Sequence, residues 1–427
     1  MLKRIFFSLV IFPALLFARE NSLREQLKSL PDVVEVKPMT PDSLFREAYL
    51  VRVRQPLDHG TPAGKSFLQS VFVSHIDLSK PVVLETEGYA VSNGTRAREL
   101  TRILKCNQIV VEHRYFGASK PDSLEWQYLT ARQSADDLHH VAVLFRTIYK
   151  GKWISTGVSK GGQTTLIYRY FYPNDVDVSV PYVAPLNLAQ EDPRVFSFLR
   201  SVGDEACREK IKKFQIAMLE RKKEMLPLWE KHGKDANHTF SFGAALMYEY
   251  AVLEYSFSFW QSGNAPCSAI PPPGAPADSM FAHLRTVVPL YLYADTGIKY
   301  FQPFMYQAYT ELGYYGYDIT DFKNYLTAIK DPTNKIFVPK DARVEYHPET
   351  MQNLYVWLRD HGDNIIYIYG ENDAWSASAV QLAGRTNAVK IVKKGGTHGT
   401  RIRNLPEEQR QLVYSTLENW LGIQLER

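Results

Sequence analysis

Apolar residues gather in short, β-branched runs over the first part of the chain, at 50–54, 67–75, 81–86, 108–115, 152–156 and 176–182. Each run ends in glycine, charged residues or another turn former, and each is expected to be a strand. A different spacing lies between two of them. Leu138, Val141, Ala142, Phe145 and Ile148 recur at i, i+3, i+4, i+7 and i+10, which lays one apolar stripe along a helix. Strands that alternate with helices predict a largely parallel sheet covered on both faces. The pattern returns near the C-terminus: 364–369 and 388–392 are further strands, and Leu412, Val413, Thr416, Leu417, Trp420 and Leu421 mark a final helix that Gly422 stops.

From about 187 to 345 the strand pattern vanishes. The stretch 204–231, dense in lysine and glutamate, and the aromatic stretch 242–260 both read as helices, with an irregular loop at Pro271-Pro272-Pro273-Gly274. The lysine–glutamate helix is expected to present a solvated face. This divides the chain into a leader at 1–18, an arm at 19–48, a first part of the core at 49–186, a helical insertion at 187–345 and a second part of the core at 346–427.

Composition narrows the picture. A chain of 427 residues, 45% of them hydrophobic, buries a large core, and a second domain fits only as an insertion. A formal charge of +4 without any lysine or arginine block gives no ground for nucleic-acid binding. Met1-Leu2-Lys3-Arg4 followed by an apolar stretch ending at Ala18 reads as a cleaved secretory signal, so the mature chain is expected in the periplasm or outside the cell, with no stable membrane association. Of three cysteines, Cys106 adjoins a core strand, while Cys207 and Cys267 share the middle section as either a disulfide or two buried thiols. No spacing suggests a metal site.

The chemistry centres on Gly157-Val158-Ser159-Lys160-Gly161, a G-x-S-x-G with a strand before it and a helix after it. Glycines beside the serine allow the sharp strand-to-helix turn that lifts its Oγ above a sheet, over a helix N-terminus. In an α/β-hydrolase the acid and the histidine follow in that order after later strands. Asp373, in the turn after 364–369, and His398, in the glycine-flanked loop after 388–392, hold those places; Glu371 is the nearest rival acid. Gly88 and Tyr89, after the strand at 81–86, are expected to form an oxyanion hole with the backbone of Lys160. The expected architecture is therefore α/β: an α/β-hydrolase core with a mostly parallel sheet and an inserted helical cap. Acyl transfer by such a triad needs no cofactor.

Further segments carry a resemblance. Glu112-His113-Arg114-Tyr115-Phe116-Gly117-Ala118-Ser119-Lys120-Pro121 is similar to the E-H-R-Y-[FY]-G-x-S-x-P signature of serine exopeptidases related to lysosomal prolylcarboxypeptidase and dipeptidyl peptidase II. Ser159-Lys160-Gly161-Gly162, Tyr170-Phe171-Tyr172-Pro173-Asn174-Asp175, Tyr182-Val183-Ala184-Pro185 and Tyr369-Gly370-Glu371-Asn372-Asp373-Ala374-Trp375 resemble the bacterial secreted prolyl tri/tetrapeptidyl aminopeptidases more closely. The resemblance implies a secreted serine exopeptidase acting on peptide substrates with a free N-terminus, releasing short peptides, often after proline, with Ser159, Asp373 and His398 as its triad. Ala374 stands where the family pattern has proline, which leaves that loop less rigid. Glu87, or Glu311 in a segment similar to the family's T-E-x-G, is a candidate partner for the substrate ammonium, and Trp375 for a wall against a prolyl ring. Glu112 and Arg114 are expected to form an internal ion network beneath the site. An ester hydrolase acting on decorated polysaccharide and a non-catalytic binding protein on the same fold are the alternatives.

Overall fold

The computed structural model describes residues 22–426; the expected leader lies outside the described residues. Nine strands form one sheet: β1 (Val33–Met39), β2 (Glu47–Pro56), β3 (Ser66–His75), β4 (Val82–Thr86), β5 (Asn107–Val111), β6 (Trp153–Val158), β7 (Val178–Tyr182), β8 (Ile365–Gly370) and β9 (Ala388–Lys393). Their order is β1-β2-β3-β5-β4-β6-β7-β8-β9. The first pairs, up to β3 with β5, are antiparallel, and every pair from β5 onward is parallel. The strands expected from apolar runs fall on β2 to β9, except that the run at 108–115 leaves the sheet after Val111 and turns.

β1 escaped the sequence pattern, and its residues say why. It is an edge strand in which only Val36 is fully buried, it carries Pro38, and its register shifts between Val33 and Glu35. An edge strand of this kind has no alternating apolar face to read. The arm expected at 19–48 thus opens with helix α1 (Leu23–Lys28) and adds β1 to the sheet.

Helices cover both faces of the sheet. Strand alternation sends Val82, Leu84 and Ile109 toward α3 (Ala131–Phe145), and Val83, Ile154 and Ile366 toward α2 (Glu99–Leu104) and α12 (Glu407–Leu421). The α3 stripe is Leu138, Val141, Ala142 and Phe145; Ile148 falls just past the helix end. Helices α4 (Lys160–Phe171) and α11 (Glu349–Asp360) pack beside α3 against β8. The sheet order, the parallel half and the strand–turn–helix at Ser159 make this an α/β-hydrolase core.

Between β7 and β8 the chain forms α5 (Pro193–Leu199), α6 (Glu205–Glu220), α7 (Lys222–Asp235), α8 (Ala244–Ser262), α9 (Ala277–Val287) and α10 (Asp295–Gln307). The lysine–glutamate stretch is two helices, α6 and α7, that break at Arg221, and α6 buries Cys207, Ile211, Phe214 and Met218 while its charges face out. These helices share an apolar core of their own, which reaches down to Ala374 and Trp375 of the sheet domain. Among the described residues no helix is long and apolar enough to cross a membrane.

Cys207 and Cys267 are bridged, 60 residues apart in sequence, and Cys106 is a buried free thiol. A bridge over a loop of that length restricts the unfolded chain. Cys207→Ser is expected to lower stability by about 2–4 kcal/mol, read as a shift in the urea midpoint, while Cys106 stays closed to thiol reagents until the core unfolds.

Candidate active site

β6 passes into α4 with Ser159 as the single residue between them. Its backbone sits at φ 58° and ψ −124°, a conformation that an L-residue adopts only when its surroundings impose it. Its N–H donates to the Tyr182 carbonyl and its carbonyl accepts from Gln163 N–H, both at 2.9 Å. A Cβ on Gly157 would lie 2.4 Å from the Gly161 carbonyl carbon and 2.6 Å from the Thr86 oxygen, so only glycine lets α4 come this near the strands. Gly88 is equally constrained, since a Cβ there would lie 2.6 Å from Lys160 Cβ and 2.8 Å from Gly161 nitrogen. The turn after β4 is thereby pressed against the N-terminus of α4, where first-turn N–H groups lack intrahelical acceptors and concentrate positive potential.

The acid and the histidine arrive on neighbouring loops. Asp373 follows β8, is fully buried, and accepts from Trp375 N–H at 3.2 Å. His398 follows β9 and donates from Nδ1–H to Asp373 Oδ2 at 2.7 Å. Its backbone N–H donates to the Gln261 carbonyl at 2.9 Å, at the end of α8 in the insertion. Ala374 does not leave the acid loop loose: Ser376 N–H donates to the Asp373 carbonyl (2.8 Å) and Ser376 Oγ to the Gly370 carbonyl (2.6 Å). Glu371 is exposed and accepts from Gly395 N–H at 2.8 Å, bracing the histidine loop. Ser159, Gly88, Asp373 and His398 all follow carboxyl ends of parallel strands, the edge where open α/β sheets place their ligands.

Ser159 opens on a cavity of about 300 Å³ between sheet and insertion. Tyr89 and Trp375 line it, but Glu87 and Glu311 do not. Glu87 is paired with Arg98 at 2.8 Å, and burial raises its carboxyl above the usual range against the pull of that guanidinium. Glu311 is enclosed, accepting from Ala131 N–H at the start of α3 and from the Thr350 hydroxyl, both at 2.7 Å. Each carboxylate is taken up by the scaffold. The signature segment also divides into separate jobs: Arg114 clasps Asp137 with two bonds of 2.7 Å, whereas Glu112 accepts from Ala118 N–H (3.0 Å) and the Ser119 hydroxyl (2.7 Å). Glu112 and Arg114 do not pair with each other, because Gly117 and the tight loop around it wrap the Glu112 carboxylate.

Two buried ionisable side chains at the site escaped the sequence. Glu254 is the one charged side chain among the residues lining the cavity. It accepts hydrogen bonds from Ser258 (2.8 Å), Tyr315 (2.9 Å) and Tyr317 (3.0 Å), and burial raises its carboxyl to about 7 against those donors. A carboxylate inside an aromatic helix was its only signal. The second is the Lys160 side chain. It is buried beside the Tyr89 and Phe116 rings, 5.7 Å from each centroid, and donates to His113 Nε2 at 3.2 Å. His113 Nδ1–H donates to the Arg114 carbonyl (2.9 Å), and burial and the Lys160 charge hold the imidazole neutral, well below its ordinary value.

The profile of the family described as PS-10 peptidase S37 matches residues 18–426. The prolyl tri/tetrapeptidyl aminopeptidase of Streptomyces mobaraensis is 32% identical over 418 residues, covering 95% of this chain and 86% of that one. Among solved structures, the proline iminopeptidase of Mycobacterium smegmatis aligns at 14% identity and a TM-score of 0.45 over 87% of this chain and 99% of its own. An α/β hydrolase from Novosphingobium aromaticivorans aligns at 14% identity and a TM-score of 0.38, over 91% and 98%.

Burial lowers the Lys160 ammonium from 10.5 to about 7. Between those values the unfolded chain binds a proton that the folded chain does not, so this group's contribution to stability rises with pH across that window and is most unfavourable below it. Lys160→Met is therefore expected to unfold later than the parent at pH 6, with the gap narrowing from about pH 7 towards 10, as read by melting curves across that range.

Proposed function

As the chain belongs to the PS-10 peptidase S37 family, and is a serine peptidase on an α/β-hydrolase fold, we propose that it removes tri- and tetrapeptides from free N-termini, cutting by preference after proline. The observation that carries this assignment is the buried Asp373 bonded to His398 at the sheet edge where the strained Ser159 opens on an aromatic cavity.

In this mechanism Ser159 Oγ attacks the scissile carbonyl while His398 Nε2 takes its proton. Asp373, fully buried, fixes the tautomer in which Nε2 is the free base and stabilises the imidazolium that forms. The oxyanion develops at the N-terminus of α4, against which the Gly88–Tyr89 turn is pressed, with the backbone N–H groups of Lys160 and of that turn as its donors. His398 then protonates the departing amine, and a water activated by the same imidazole releases the acyl fragment. Trp375, packed edge-on against Phe257 at 5.1 Å and Tyr315 at 5.4 Å, offers the prolyl ring an apolar wall. Export is part of the proposal: it is supported by the basic and apolar first 18 residues and by the Cys207–Cys267 bridge, which persists in oxidising compartments.

Ser159→Ala is expected to lose roughly four or more orders of magnitude in kcat and all fluorophosphonate labelling, with the fold retained. A panel of unblocked and N-acetylated prolyl peptides beside acetyl and feruloyl esters should show cleavage of the unblocked peptides. Turnover of the esters alone would overturn the exopeptidase assignment.

A further inference from the structure

We propose that Glu254 receives the α-ammonium of the substrate and that helix α8 sets how many residues lie between that amine and the bond to be cut. The inference rests on the exopeptidase function proposed above and adds a residue and a length to it.

The first support is a missing partner. Glu254 is more than nine-tenths buried, and among the described residues no lysine, arginine or histidine pairs with it. Its three donors are neutral hydroxyls, of which Tyr317 also bonds Asn334 Oδ1 at 3.2 Å, while Asn334 Nδ2–H donates to the Tyr315 carbonyl at 2.9 Å. These contacts hold the carboxylate in one place but do not neutralise it. A buried charge without a counter-charge is costly, and a leucine would fill this position in a helix core more cheaply. A cationic ligand supplies what is missing. Aromatic faces around it suit an ammonium as well: Phe257 and Tyr315 stack at 3.9 Å, and both line the cavity.

The second support is position. Glu254, Phe257, Ser258 and Gln261 line the same cavity at i, i+3, i+4 and i+7, one face of α8. At the far end of that face the Gln261 carbonyl holds the backbone of His398. Seven residues of helix advance about 10 Å. An extended peptide advances about 3.3 Å per residue, so three residues span about the same distance. A substrate whose scissile bond lies at the histidine end therefore brings its amine to Glu254 when three residues precede the cut.

The test compares the parent with Glu254→Gln on an unblocked X-X-Pro p-nitroanilide and on its N-acetyl form. The parent should prefer the unblocked peptide. In E254Q, kcat/KM on that peptide should fall by about 30-fold or more, mostly through KM, because a buried charge pair is lost. Fluorophosphonate labelling should stay at the parent value, and the preference for the unblocked over the acetylated peptide should collapse. An E254Q enzyme that labels normally and still prefers the free amine overturns the inference while leaving the exopeptidase assignment intact. A parent that cleaves no unblocked peptide overturns both. Should E254Q fail to fold, Glu254→Asp serves instead: drawing the carboxylate back by about 1.5 Å, too far for a hydrogen bond yet less than one residue of peptide, should raise KM for the unblocked peptide with labelling unchanged, and an unchanged KM overturns the inference.

Discussion

How near α4 can come to the strand ends governs the whole site. Backbone touches backbone there: Gly157 faces the Gly161 carbonyl, Gly161 faces the Thr86 oxygen, and Gly88 meets the first turn of the helix. With any side chain at those positions the helix would stand off, and the Ser159 hydroxyl and the N–H groups beneath it would no longer converge on one point. The strained backbone at Ser159 follows from the same closeness. It is held by bonds to Tyr182 and Gln163, so the energy stored in that residue is sustained by sheet and helix together.

The insertion helps to position the candidate site, and does more than cover it. Its apolar core includes Ala374 and Trp375, which immediately follow the acid, and its longest helix holds the histidine backbone through Gln261. Two of the three triad candidates thus depend on the insertion for their placement, while Ser159 depends on the sheet. The cavity between these two bodies is lined by aromatics from both and by one carboxylate.

The core was legible because its central strands, β4 to β8, are buried on both faces and read as continuous apolar runs, and because the triad candidates stand at strand ends marked by glycine. Edge strand β1 was not, since an exposed edge with a proline and a shifted register has no period to detect. The acidic candidates are harder to read for a related reason. Glu87 and Glu311 stand at suitable places in the sequence, yet whether a carboxylate is free depends on what packs against it, here Arg98 for one and the start of α3 for the other. Glu254 lay hidden inside a helix whose aromatic content reads as core, and only the fold turns that face toward Ser159. The Cys207–Cys267 pairing likewise needed three dimensions, since spacing alone left it open.

The bond from His398 to Gln261 also ties the candidate base to the helices between β7 and β8. A chain whose sheet has formed but whose insertion has not carries a serine on its turn and no steady base beside it. On the activity proposed above, the site is complete only with the helices between β7 and β8 packed against it.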